Sequence, residues 1–351
     1  MQRALLSILF CLTLLPIAWS QLGGQRTFAF LNLPPSARVT ALGGHLIAVV
    51  DDDINLAMQN PALLNPLMHQ QIAFNHNFHF GDIQNGYAAY GQYIDKLKTT
   101  FHAGIQYINY GEFEARDVTG LPEGTFQAGE NAIVLGAARP VDERFTVGAN
   151  LRFIPSRLDV FNSIALSSDI AGVYTDTASR FTATLVFKNI GTQLSPYTEG
   201  NFEPLPFEIQ FGISKRLQYL PFRFSLIYRH LERWNVTYDD PNQEDNNLFL
   251  FGDAPTEESR FVTVVDNFFR HVVFNGEFLF GAKENFRLRL GYNHLLRREM
   301  LVNNFGTLAG FTFGAGIKVN RFRIDYGRMI YHIAGGVNHL SIQTNFREFK
   351  K

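Results

Sequence analysis

Three consecutive carboxylates, Asp51, Asp52 and Asp53, stand together in this sequence. Hard oxygen ligands grouped in this way admit a calcium site. They equally admit a cap-and-turn, or pairing with Arg152, Arg287, Arg289 or Arg323, which strand alternation would turn to one face. Other chemistry is sparse. The chain has no Gly-x-Ser-x-Gly elbow, no His-Glu-x-x-His and no phosphate-cradling glycine loop ahead of a helix. His76 and His79 lie three apart, which on a strand puts them on opposite faces and spoils joint metal ligation. No catalytic residue, metal or cofactor is expected, and the chain reads as non-enzymatic. A net charge of −1 gives no reason to expect a nucleic-acid partner.

The elements that would position any site begin with the N-terminus. Met1-Gln2-Arg3 is a short basic stretch, Ala4 to Ile17 is apolar, and Ala18-Trp19-Ser20 supplies small residues before Gln21. This is the pattern of a signal peptide over residues 1–20, and the run is short for a membrane helix. Cys11, the only cysteine, lies inside that run, so a processed chain would carry no thiol.

Composition points to a membrane wall made of strands. Thirty-four Phe and thirteen Tyr accompany a mean hydropathy of only −0.06. Many aromatics with middling hydropathy fit a sheet with one lipid-facing and one wet face. Six segments share a design of alternating run, short polar turn, Phe, and second alternating run. The marking residues are Phe101, Phe145, Phe181, Phe222, Phe286 and Phe322. After Phe145, for example, Val147, Ala149, Leu151 and Phe153 face one way while Thr146, Gly148, Asn150 and Arg152 face the other. Phe at a strand edge suits an aromatic girdle. Long excursions over 111–131, 155–163, 189–206, 232–271 and 295–306 alternate with the short turns, the rhythm of extracellular loops against periplasmic turns. The expectation is an all-β transmembrane antiparallel barrel of about fourteen strands over residues 69–351, in the outer membrane.

Residues 21–68 do not alternate. Ile54 to Gln59 reads as a short helix capped by Asp53, Gly43-Gly44 permits a tight turn, and Asn60-Pro61 ends the run. The segment is expected to fold into the lumen as a plug or hatch, with Asp51, Asp52, Asp53, Asn60 and Pro61 as its candidate working residues. At the other end, Leu248-Phe249-Leu250-Phe251 follows an acidic stretch. Phe261, Val264, Val265, Phe268 and Val272 then recur at helical spacing. Phe249, Phe251, Phe261, Val265, Phe268 and Phe269 are candidate partner-docking residues, with a lid over the barrel mouth or a ligand groove as the other readings.

The run Ala37-Arg38, Ala41-Leu42-Gly43-Gly44, Asp51-Asp52 and Asn60-Pro61-Ala62 resembles the N-terminal signature of the FadL-like outer-membrane barrels. The longer runs Phe30 to Arg38, Asn60 to Pro66, Ala103 to Gly111 and Phe268 to His271 resemble the PorQ family of the type IX secretion system. That resemblance implies a barrel that anchors a PorZ-like surface protein in an attachment complex. The complex would include a PorV-like barrel and a PorU-like sortase and would join cargo to anionic lipopolysaccharide. The wider resemblance implies instead a transporter of hydrophobic small molecules.

Overall fold

The computed structural model describes residues 26–237, 260–281, 283–300, 308–332 and 335–349. The proposed signal peptide lies outside them. Fourteen strands form one closed antiparallel ring: β1 (Gln71–Phe78), β2 (Gln84–Ile94), β3 (Thr99–Arg116), β4 (Pro122–Pro140), β5 (Phe145–Leu158), β6 (Phe161–Asp176) and β7 (Phe181–Ser195), continued by β8 (Glu208–Arg216), β9 (Phe222–Tyr228), β10 (Val272–Phe280), β11 (Phe286–Asn293), β12 (Phe311–Val319), β13 (Phe322–His332) and β14 (Gly335–Asn345). Each strand pairs with its sequence neighbours, and β1 closes on β14 from Gln71↔Asn345 to Phe78↔Asn338. Closure leaves no strand edge with unpaired backbone groups, the condition for a sheet to stand in hydrocarbon.

The alternation read from sequence is the alternation of faces. Phe74, Ile105, Leu135, Leu151, Leu185, Phe224, Leu290, Phe313 and Ile342 point outward and are exposed, while Asn75, Gln106, Asn150, Arg152, Ser225, Arg289 and Thr312 point inward and are buried. An outward apolar band around a closed ring makes this an outer-membrane β-barrel. Five of the six marking phenylalanines open a strand, and Phe101 is the third residue of β3. Three of them belong to ring pairs at the short-turn end: Phe145 with Tyr174 at 5.0 Å, Phe222 with Phe278 at 4.7 Å and Phe286 with Phe280 at 5.9 Å. This is the expected girdle.

Two of the expected long excursions are absent as loops. The stretch 111–131 is mostly strand, because β3 and β4 continue as an extended hairpin with Phe113 stacked on Phe126 at 5.3 Å. Likewise 155–163 is strand around the two-residue turn 159–160. Cross-strand pairing satisfies the backbone beyond the membrane, so a polar sequence there still ladders. The long connections that remain span 196–207, 229–271 and 294–310; they hold helix α2 (Arg260–Arg270) and helix α3 (His294–Glu299).

Residues 28–70 fill the lumen. After a 3-10 turn at Ala29–Asn32 comes the single-turn helix α1 (Ala37–Thr40), then 3-10 turns at Ile54–Met58, Pro61–Leu63 and Pro66–Met68. The last two share one local device: Asn60 and Asn65 are extended caps that accept from the amide two residues on, and Pro61 and Pro66 occupy the first helical position. Proline needs no donor there, and it forces its predecessor to be extended.

Candidate functional site

The plug touches the barrel wall on almost every side. Ala37 N donates to Ser341 Oγ at 2.8 Å, and Thr40 Oγ1 meets His339 Nδ1 at 2.9 Å. Gly43 and Gly44 turn with φ of +67° and +83°, and the Gly43 amide donates to Thr312 Oγ1 at 2.8 Å. Asn275 Nδ2 and Asn150 Nδ2 donate to the carbonyls of His45 at 2.7 Å and Ala57 at 2.9 Å. Wall glycines allow this closeness: a Cβ on Gly148 would sit 2.6 Å from the Ala62 amide. Inside, Val39, Leu42, Leu46, Ile47, Leu56 and Leu63 form an apolar cluster with the lumenal residues Ala171, Val173, Val186, Ile227 and Val273. The plug thus carries its own small core and meets an apolar stripe of the lumenal wall.

Near the short-turn end the three aspartates each face a guanidinium. Arg38 is the centre. Its guanidinium reaches Asp51 at 2.7 Å, Asp53 at 3.0 Å and, with two nitrogens, Glu277 at 3.0 Å. Glu277 is shared with Arg223 and Arg289, and Arg289 continues to Asp325. Asp52 takes Arg323 in a forked pair at 2.8 and 3.0 Å. Gln343, with its amide nitrogen toward Asp53 Oδ1 at 3.2 Å, accepts from Arg323 Nη1 at 2.8 Å. Five acids (Asp51, Asp52, Asp53, Glu277, Asp325) thus meet Arg38, Arg223, Arg289 and Arg323, with Arg287 alongside and paired to Glu284 at 3.6 Å. Near neutrality of the set is what lets so many charges stay buried.

Burial pushes Asp51 up, but Arg38 and Arg223 outweigh it and hold the carboxyl well below the usual range. Asp52 is lowered for the same reason, with burial overcome chiefly by Arg323. Asp53 goes the other way: burial dominates and raises it despite Arg38. Asp53 also caps the 54–58 turn, accepting from the Asn55 amide at 3.1 Å.

Of the four arginines offered as partners for the aspartates, Arg323 is the one that binds, at Asp52. Arg289 serves Glu277 and Asp325, and Arg287 lies by Glu284. Arg152 pairs with buried Asp169 and also donates to Asn189 Oδ1 at 3.1 Å and the Met58 carbonyl at 3.3 Å. Arg38, Arg223 and Glu277 carry no local sequence signal of this role, although Arg38 lies inside the FadL-like N-terminal run. Among the described residues no group of three or more His, Cys, Asp or Glu is placed to hold a metal ion. Asn60 is fully buried, donating to Ile47 O at 2.7 Å and Thr184 Oγ1 at 2.9 Å, and accepting from Ala62 N at 2.9 Å. Pro61, also buried, follows it against β5.

At the long-loop end, Phe28, Phe30 and Leu31 of the plug pack on Ile108, Ile154, Ala165 and Leu205. Helix α2 stands on the outer lip. Its polar side is turned inward, with Asp266 taking Arg270 at 2.8 Å, His294 at 3.0 Å and Arg298 at 2.9 Å, while Asn267 donates to Trp234 O at 2.7 Å. Its apolar side faces out: Val264 is 52%, Phe268 44% and Phe269 39% exposed, and Val265 is partly covered. Phe268 meets Tyr228 at 5.8 Å and Phe269 meets Phe274 at 6.4 Å. Phe261 is the second residue of α2, whereas Phe249 and Phe251 lie outside the described residues. His76 bonds Tyr107 and His79 bonds Asn85, so the two histidines stay apart.

No family model matches the chain, and no curated protein matches it. Among solved structures, a TodX monoaromatic hydrocarbon channel with a deltaS2 mutation has a TM-score of 0.49 at 12% identity, covering 89% of this chain and 97% of that one. A FadL homologue from Pseudomonas aeruginosa has a TM-score of 0.48 at 8% identity, covering 89% and 98%. A mutant porin from Rh. blastica has a TM-score of 0.30 at 9% identity, covering 79% and 98%. The assignment as a barrel stands on the closed strand order and the outward apolar band.

Proposed function

We propose that this barrel is a plugged, non-enzymatic outer-membrane anchor that holds a surface partner, and that the partner is a PorZ-like protein of a type IX attachment complex. The observation that carries the first half is the locked lumen: a buried network of ion pairs and an apolar core fill the space a conduit would need. The second half rests on the sequence resemblance of residues 30–66 and 103–111. In this reading the PorU-like sortase and PorV-like barrel assemble around the held partner, cargo passes to anionic lipopolysaccharide, and the apolar face of α2 belongs to the docking surface. Deletion of the gene should release the surface partner from outer-membrane fractions into the medium. Full retention of that partner, with normal cargo attachment, would overturn the assignment.

One observation favours a second reading, transport of hydrophobic small molecules. The apolar lumenal stripe formed by Val173, Val186, Ile227 and Val273 is now covered by the plug, and a shifted plug would uncover it. Co-purification of fatty acid in the lumen, with no protein partner, would select that reading.

A further inference from the structure

We infer that the outer wall at β1–β5 carries a binding site for one phosphorylated glycolipid of the outer leaflet, with Tyr107 at the joint between its acyl and headgroup portions. Two grooves meet at that residue. The lower one, about 410 Å³, is lined by outward side chains of β14, β1, β2 and β3: Ile342, Leu340, Phe74, His76, Ala88 and Ile105. It lies in the apolar band, and its floor is shallow because Gly86 and Ala88 sit between two ridges of larger side chains. The Tyr107 ring lies over Gly86, where a Cβ would fall 2.6 Å from Cε1, and the ring is fixed by a 2.8 Å bond between its hydroxyl and His76 Nδ1. The wall behind is intact, because β1–β2 and β2–β3 pair continuously and Tyr87 fills the inner side. The site is therefore a surface groove and not a portal.

The upper groove, about 710 Å³, begins at Tyr107 and continues toward the long-loop end. Its volume falls within the roughly 300–1,000 Å³ of small-molecule sites. Its lining changes to amides and charge: Asn109, Gln127, Asn131, Arg157 and Asp159. Two irregularities hollow it out. Gly111, at φ +90°, bulges β3 where its amide donates to Asn109 Oδ1, and Pro155 interrupts the β4–β5 ladder between Glu130↔Ser156 and Ile133↔Phe153. Strand parity turns Asn109, Asn131 and Arg157 outward, directly above lipid-facing Ile105, Ile133 and Phe153.

The ligand class follows from this order of surfaces. An acyl chain fits the lower groove, since hydrocarbon is what the band already meets. The residue types above it suit sugar hydroxyls, which take amide donors and acceptors, and a phosphate, which takes a guanidinium. Arg157 is available for that role: Nε donates to the Asp159 carbonyl at 3.2 Å, and among the described residues its terminal nitrogens meet no acceptor. Asp159 beside it suits an ammonium or a further hydroxyl.

The test uses the full-length protein in detergent, titrated with bis-phosphorylated lipid A and read by native mass spectrometry. Phosphatidylethanolamine and inorganic phosphate form the parallel arms. One lipid A should be retained under activation that strips detergent. Arg157→Gln, a surface change, should lower retention about tenfold, the scale of one lost charge-assisted contact, and Ala88→Phe, which fills the lower groove, should lower it as well. Heat-modifiable gel migration checks that both variants are folded. Equal retention in wild type and either folded variant would overturn the site, leaving belt lipid only. Equal retention of phosphatidylethanolamine would overturn the glycolipid class, and binding of free phosphate without lipid A would overturn the two-part ligand.

Discussion

The two ends of the plug are held by opposite kinds of force. At the short-turn end, Asp51, Asp52 and Asp53 are gripped by arginines from α1, β9 and β13, and the contacts are directional and charge-matched. At the long-loop end, Phe28, Phe30 and Leu31 sit in an apolar nest, with two backbone-anchored contacts, Thr27 N to Pro204 O and Arg26 Nη1 to Phe207 O. Apolar burial is non-directional, whereas a buried ion-pair set penalises any arrangement that leaves a charge unpaired. The charged end therefore sets where the plug sits, and the apolar end sets how firmly its start is covered.

The largest effect on this contrast should come from Arg38→Met. It leaves Asp51 and Asp53 buried with less positive charge and removes one of three arginines from Glu277, a loss of about 3–5 kcal/mol in plug docking. Single-channel recordings in planar bilayers should then show conductance that the wild-type protein lacks, while the barrel keeps its heat-modifiable migration. A variant as tight as wild type would mean that the apolar core alone holds the plug.

Phe30→Ala tests the other end. Truncating a buried Phe costs about 3 kcal/mol or more. The expected outcome is local: faster protease cleavage at 26–33, with the 51–53 segment still protected and conductance unchanged. Equal release of both segments would show that the two ends are one cooperative unit.

Much of this architecture was legible and the decisive pairs were not, for a physical reason. Period-two alternation and edge aromatics are local signals, so the strands, five short turns headed directly by Phe, and the Asp53 cap followed from residues within a few positions of one another. Arg38 and Glu277 are 239 residues apart, and nothing local links them. A usable signal did exist. Parity marks every inward position, acids included, and Asp325 stands opposite Ile324 just as Arg323 does. The inward acids and inward arginines together mean that the lumen supplies its own counter-charges, so Arg152 and Arg289 have partners besides the plug. The bulge that turns both Lys188 and Asn189 inward, with Asn189 at φ +56°, breaks parity and gave no local warning.

Acid should loosen the charged end and spare the apolar one. Asp51 and Asp52 have lowered pKa values in the folded protein, so their contribution is present above an ordinary aspartate's 3.8 and is lost as pH falls through their depressed values. Asp53 has the opposite sign: its value is raised, so it takes up a proton earlier in the descent, and that step relieves a cost. Conductance should accordingly stay low through mild acid and rise only below 3.8, while cleavage at 26–33 stays slow throughout. Conductance that rises in mild acid would put Asp53, and not Asp51, in control of the latch.

The smallest effect should come from Asp52→Asn. Its side chain is 37% exposed and its partner Arg323 lies at the rim, where water screens the pair, so the expected loss is about 0.5–1 kcal/mol. Arg323 keeps the Gln343 amide as a partner, which limits the penalty of an uncompensated charge. Conductance in this variant should remain close to that of wild type at neutral pH, and its rise in acid should begin at the same pH, because Asp51 still governs it. If Asp52→Asn opened the lumen as widely as Arg38→Met, the rim pair would be holding the plug and the buried centre would be secondary. That result would reverse the order of the two ends, since the contact most open to solvent would then be the one that fixes position.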